Sequence, residues 1–71
     1  MKYKFVWNDD TIHKDGILYF EKLSELKQWL DDRMYEEYVY DWIVDDGEFV
    51  TKWQQMRLYE LDENGEILWK I

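Results

Sequence analysis

The sequence predicts an α+β fold: a small antiparallel sheet of about four to six strands packed on one α-helix, in the rough order β-β-α-β-β-β-β. Three observations carry that reading. Tyr3, Phe5 and Trp7 alternate with Lys2, Lys4 and Val6, which is the period of two of a strand with one aromatic face. Leu23, Leu26, Leu30 and Met34 recur at helical spacing, with Trp29 beside them. Near the end of the chain, Asn64-Gly65 lies between two alternating runs, the mark of a hairpin.

The elements follow in order. Asn8-Asp9-Asp10-Thr11 is a turn by composition, and Asp15-Gly16 is a second turn signal. The apolar run Ile17-Leu18-Tyr19-Phe20 then reads as a strand that pairs with the first through the loop holding His13. Ser24 or Lys22 opens the helix, which is expected to run to about Glu36, with Glu25, Gln28, Asp32 and Arg33 on its polar side. Tyr38–Val44 is β-branched and aromatic and reads as a strand, although Met34, Tyr38 and Trp42 also continue an i+4 row that would extend the helix. Asp46-Gly47 reads as a hairpin turn that sets Asp41 opposite Lys52 and Val44 opposite Phe49. In the last hairpin, a three-residue loop with Gly65 left-handed and forming a bulge sets Tyr59 opposite Trp69 and Leu61 opposite Ile67.

Composition restricts what such a fold can do. A chain of 71 residues is expected to form one domain, and it has no cysteine and one histidine, His13. Disulfides and a zinc cluster are therefore not available as reinforcement. Five Trp, six Tyr and three Phe supply the bulk of a small core, at about 150–250 Å² per buried ring. No run approaches the roughly 18 apolar residues of a membrane span. The N-terminus has a basic start but no apolar run and no small-residue cleavage site, so an intracellular, cytoplasmic protein is expected.

The residue types for catalysis are missing. One His and no Cys cannot build a nucleophilic triad, and Gly16, Gly47 and Gly65 form no phosphate-cradling loop. Asp62-Glu63-Asn64-Gly65-Glu66 begins like a calcium loop, but its glycine comes too early and the chain ends before the terminal glutamate. The expectation is a protein that binds rather than reacts, with no enzyme activity, cofactor or metal.

Charge is the informative feature. From Met1 to Leu30 five Lys/Arg balance five Asp/Glu, whereas Asp31–Glu48 holds eight acidic residues against Arg33. Seven of the eight net negative charges thus lie in that segment, interleaved with Tyr35, Tyr38, Tyr40 and Trp42. A solvated face is the ordinary use of such a run. The alternative is a docking surface for a basic protein, because clustered like charge strains a thin core and because Tyr and Trp favour interfaces. The residues assigned to that surface are Asp31, Asp32, Glu36, Glu37, Tyr38, Tyr40, Asp41, Trp42, Asp45, Asp46 and Glu48.

In size, acidity and lack of cysteine, the chain resembles the short proteins with which phages and mobile elements block host nucleic-acid enzymes, such as anti-CRISPR and other DNA-mimicking inhibitors. The likeness is one of size and charge, not of sequence. It implies a stoichiometric inhibitor of a basic nucleic-acid-binding protein, in its strongest form a DNA mimic. The net charge of −8 separately disfavours direct contact with nucleic acid or an anionic membrane surface. Two further readings stand beside the inhibitor: a self-associating module whose exposed rings form a homodimer, and a nucleic-acid binder that stacks bases on Tyr3, Phe5 and Trp7.

Overall fold

The computed structural model describes residues 1–70, with side chains described through Leu68. Strands β1 (Tyr3–Asp9) and β2 (Lys14–Phe20) form an antiparallel hairpin in unbroken register from Tyr3↔Phe20 to Asp9↔Lys14. Helices α1 (Leu23–Asp32) and α2 (Glu37–Asp46) follow, then β3 (Glu48–Val50), β4 (Gln54–Leu61) and β5 (Ile67–Lys70). The five strands make one antiparallel sheet in the order β2-β1-β4-β3. β5 shares the outer edge of β4 with β3: β3 pairs with residues 55–57 and β5 with residues 59–61.

Alternation along the strands decides which residues enter the core. Tyr3, Phe5 and Trp7 of β1, Leu18 and Phe20 of β2, and Met56 and Leu58 of β4 lie on the face that the helices cover. Phe5, Leu26, Leu30, Ile43, Met56 and Leu58 are fully buried. Each such side chain contributes about 1.5–3 kcal/mol relative to exposure. The opposite face carries Lys4, Val6, Ile17, Tyr19, Arg57 and Tyr59 and has no covering layer among the described residues. Tyr3 and Phe5 are therefore core residues, not a platform for bases. Trp7 is half-buried against Trp29, with ring centroids 5.1 Å apart.

There are two helices where one was expected, and the break between them has a local cause. α1 stops at Asp32, short of Glu36. Met34 takes a left-handed φ of 63°, its N–H donates to the Asp31 carbonyl at 3.0 Å, and the Tyr35 N–H donates to the Leu30 carbonyl at 3.1 Å. This is the paired closure of a Schellman motif, with methionine at the position glycine usually takes.

Residues 38–44 are helical, not extended. In a strand, Asp41 would share a face with Val39 and Ile43. A helix separates them: Val39 and Ile43 are buried, and Asp41 is exposed. That burial overrides the strand preference of β-branched and aromatic residues. Gly47 consequently ends α2 in the left-handed conformation (φ 76°), with its N–H on the Ile43 carbonyl at 2.8 Å, instead of turning a hairpin. Phe49 pairs with Met56, so the expected Asp41–Lys52 and Val44–Phe49 pairings do not form.

The last hairpin turns as expected. Gly65 has φ 82°, the Asp62 N–H meets the Glu66 carbonyl at 2.9 Å, and Leu61 faces Ile67. The irregularity lies in the ladder between Glu60 and Leu61, so Tyr59 is paired with Lys70 and Glu60, not Tyr59, with Trp69. No helix among the described residues is long and apolar enough to cross a membrane.

Candidate interaction surface

α2 buries Val39 and Ile43 and turns a second stripe outward. Tyr38, Asp41, Trp42 and Asp45 stand at i, i+3, i+4 and i+7, on one helical face. Tyr38 and Trp42 each rest edge-on against Phe49, with centroid distances of 6.0 and 5.9 Å. Even so, they remain 55% and 52% exposed. Two large rings are thus held in place and open to solvent, with carboxylates between and beyond them.

Tyr40 and the carboxylates assigned to this surface divide into two sets. Some are occupied. Lys27 of α1 reaches Glu37 at 3.7 Å and lies 5.2 Å from the ring centroid of half-buried Tyr40, so both help to hold α1 to α2. Glu48 opens β3 and pairs with Arg57 across the ladder at 3.2 Å. Asp32 accepts a hydrogen bond from Gln28 at 2.7 Å. By contrast, exposed Asp31, Glu36, Asp41, Asp45 and Asp46 make no ion pair among the described residues.

The placement of the aspartates opposes the helices that carry them. α1 ends in Asp31-Asp32 and α2 in Asp45-Asp46, and neither helix has a basic residue in its last turn. Carboxylates beside the unpaired carbonyls of a helix C-terminus meet the negative end of the macrodipole, at a cost of about 0.3–1 kcal/mol each. At α1 that repulsion is met in part by Arg33, the C-cap residue, whose guanidinium donates to the Trp29 carbonyl at 3.3 Å; α2 ends at Gly47 with no such cation.

A second polar feature escaped sequence reasoning. Asp9, at the end of β1, is 2% exposed. It accepts hydrogen bonds from the Thr11 N–H (2.9 Å), the Thr11 hydroxyl, the Tyr35 hydroxyl (2.7 Å) and the Gln54 side-chain amide (3.0 Å). Burial pushes the Asp9 carboxyl up, but these donors together outweigh it and hold the group at about 2. Burial and the facing Asp9 carboxylate push the Tyr35 hydroxyl well above its ordinary value. The local part of this cluster was legible, because Asp followed two residues later by Thr is a common side-chain turn. The donors 26 and 45 residues away were not.

Asp9 lies beside an open cleft of about 800 Å³, lined also by His13, Lys14, Arg33 and Met34. With both oxygens occupied by donors, Asp9 ties the β1–β2 loop to the α1–α2 link and to β4, and leaves no lone pair directed at a ligand. Trp7 covers Gly16 so closely that a Cβ there would lie 2.9 Å from its Nε1. Among the described residues no three His, Cys, Asp or Glu side chains gather into a metal-binding group.

No protein-family model, curated protein or solved structure matches the chain.

Proposed function

We propose that the protein is a stoichiometric inhibitor or adaptor that docks on a basic, nucleic-acid-binding protein through the acidic and aromatic surface of α2 and the C-terminal end of α1. In its strongest form it is an anti-defence protein of phage or mobile-element type, whose carboxylates stand where a nucleic acid's phosphates would. The observation that supports this reading is the outer stripe of α2, where Tyr38 and Trp42 are braced on Phe49 and exposed beside Asp41 and Asp45. Rings fixed before binding lose little side-chain entropy on docking, which is the character of an interface anchor. The unpaired carboxylates around them speed encounter with a positive groove and exclude acidic partners.

The test compares two quadruple variants. Replacing Glu36, Glu37, Asp45 and Asp46 by Lys is expected to lower the association rate with a captured partner strongly, whereas the same change at the exposed carboxylates Asp10, Asp15, Glu63 and Glu66, outside the acidic segment, does much less. Duplex DNA or RNA is expected to displace the protein from that partner, and binding should weaken with salt as screening shortens the reach of each charge to about 8 Å. Equal binding by both variants, with no competition from nucleic acid, would overturn the reading.

A further inference from the structure

The two edges of the sheet are built differently. One edge is divided between β3, of three residues, and β5, of four, with a ladder irregularity between Glu60 and Leu61. Short, irregular strands are the usual defence against unwanted pairing. The other edge is β2, seven residues in unbroken register with β1. It has no proline and no bulge, and no other strand among the described residues pairs with its outer side. Ile17 and Tyr19 on it are 54% and 52% exposed. Its outward N–H and C=O groups form a template for another strand.

We infer that β2 is a self-association edge: two copies pair β2 to β2, antiparallel about Ile17, and join their sheets into one. Charge selects a second copy as the occupant. Residues 1–30, which contain β1, β2 and most of α1, are neutral, whereas the net charge of −7 between Asp31 and Glu48 lies on the end of α1, on α2 and at the start of β3. β3 is at the opposite edge of the sheet, and α2 packs on β3 and β4. Joining at β2 therefore brings neutral regions together and keeps the acidic ones apart.

The ladder is also self-complementary. A two-fold axis through Ile17 keeps side chains of equal parity on the same face. Ile17 then meets Ile17 of the second copy, Gly16 lies opposite Leu18, and Lys14 lies opposite Phe20. Beside Phe20 are Glu21 and Glu25, and Glu25 lines a cleft of about 180 Å³ between β2 and α1 together with Leu18, Phe20, Leu26 and Trp29. Lys14 has no ion pair among the described residues. Each copy's Lys14 thus gains the acidic entrance of the other's α1, twice in the dimer.

The lack of cysteine makes a clean test possible. In sedimentation, the native chain is expected to pass from monomer to dimer by about 100 µM, and the dimer should persist in high salt because backbone bonding and apolar contact dominate it. Ile17→Lys sets two like charges on the axis and should weaken the dimer at least tenfold, with the circular dichroism of the monomer unchanged. As a second readout, Ile17→Cys should cross-link readily under mild oxidation, because directly opposed strand residues lie about 4.5–5.5 Å apart between Cα atoms, within disulfide range. Ile67→Cys, equally exposed on β5, should not. A native chain that stays monomeric at that concentration, or a dimer indifferent to Ile17→Lys, overturns the inference. Neither outcome bears on the acidic surface of α2.

Discussion

Asp9 and Asp45 are the same side chain put to opposite uses. Asp9 closes a strand, is buried, and receives hydrogen bonds from Thr11, Tyr35 and Gln54. Asp45 lies in the last turn of a helix, is exposed, has no ion pair among the described residues, and faces the negative end of the helix dipole. One carboxylate is fully employed inside the molecule, and its charge holds three chain segments together. The other is unemployed there, so its charge remains available to a partner. In a domain whose core supplies only about 3–5 kcal/mol, that difference separates a group kept for folding from one tolerated despite folding.

The comparison is most severely tested at Asp9. Asp9→Asn removes the charge and sets an amide N–H₂ against donors that need an acceptor. It should destabilise the fold by about 2–4 kcal/mol in urea or thermal unfolding, enough to leave a marginal domain partly unfolded. A loss below the scatter of surface substitutions would show that the network is decoration and that the two aspartates do not differ in kind.

The next effect appears in pH. The Asp9 carboxyl is held at about 2 in the folded chain, against an ordinary 3.8. Because the folded value is the lower one, its contribution is fully present above about pH 4 and is lost as pH falls towards 2. The shift corresponds to about 2 kcal/mol. Melting temperatures recorded from neutral pH to pH 2 should show this acid limb in the native chain. The limb should be much reduced in Asp9→Asn, and an identical limb in both would assign the acid sensitivity to other carboxylates.

The smallest effect has the opposite sign. Asp45→Asn and Asp46→Asn should each raise stability, by about 0.3–1 kcal/mol at low salt, because each removes a charge from a helix C-terminus. The gain should shrink as salt rises. Destabilisation on neutralising these two residues would mean that they hold an interaction inside the fold, and the contrast with Asp9 would fail.

Short-range chemistry was legible in the sequence wherever local and global demands agree. The aromatic alternation of β1, the Leu23, Leu26 and Leu30 row of α1 and the Asn64-Gly65 turn survive in the folded chain, since period-two and period-3.6 burial need no distant information, whereas Met34, the expected end of that row, falls beyond the helix and is exposed. The concentration of charge in Asp31–Glu48 was equally visible, because it is a property of composition.

Three things were decided only by tertiary packing. Residues 38–44 became helix because burying Val39 and Ile43 while exposing Asp41 outweighs their local preference for a strand. That choice made Gly47 a helix stop instead of a hairpin turn, although its left-handed conformation serves either purpose. It also set Tyr38, Asp41, Trp42 and Asp45 on one outward stripe, where a strand would have sent them to alternate faces. The Asp9 network and the exposed edge of β2 depend on which segments meet in space. A hydrogen bond between residues 26 or 45 positions apart, or an unpaired strand edge, leaves no periodic trace in the sequence. The sequence by itself determined which residues alternate, which recur and where charge accumulates; the packing of two helices on one face of a five-stranded sheet decided which of those charges are used within the fold and which are left facing outward.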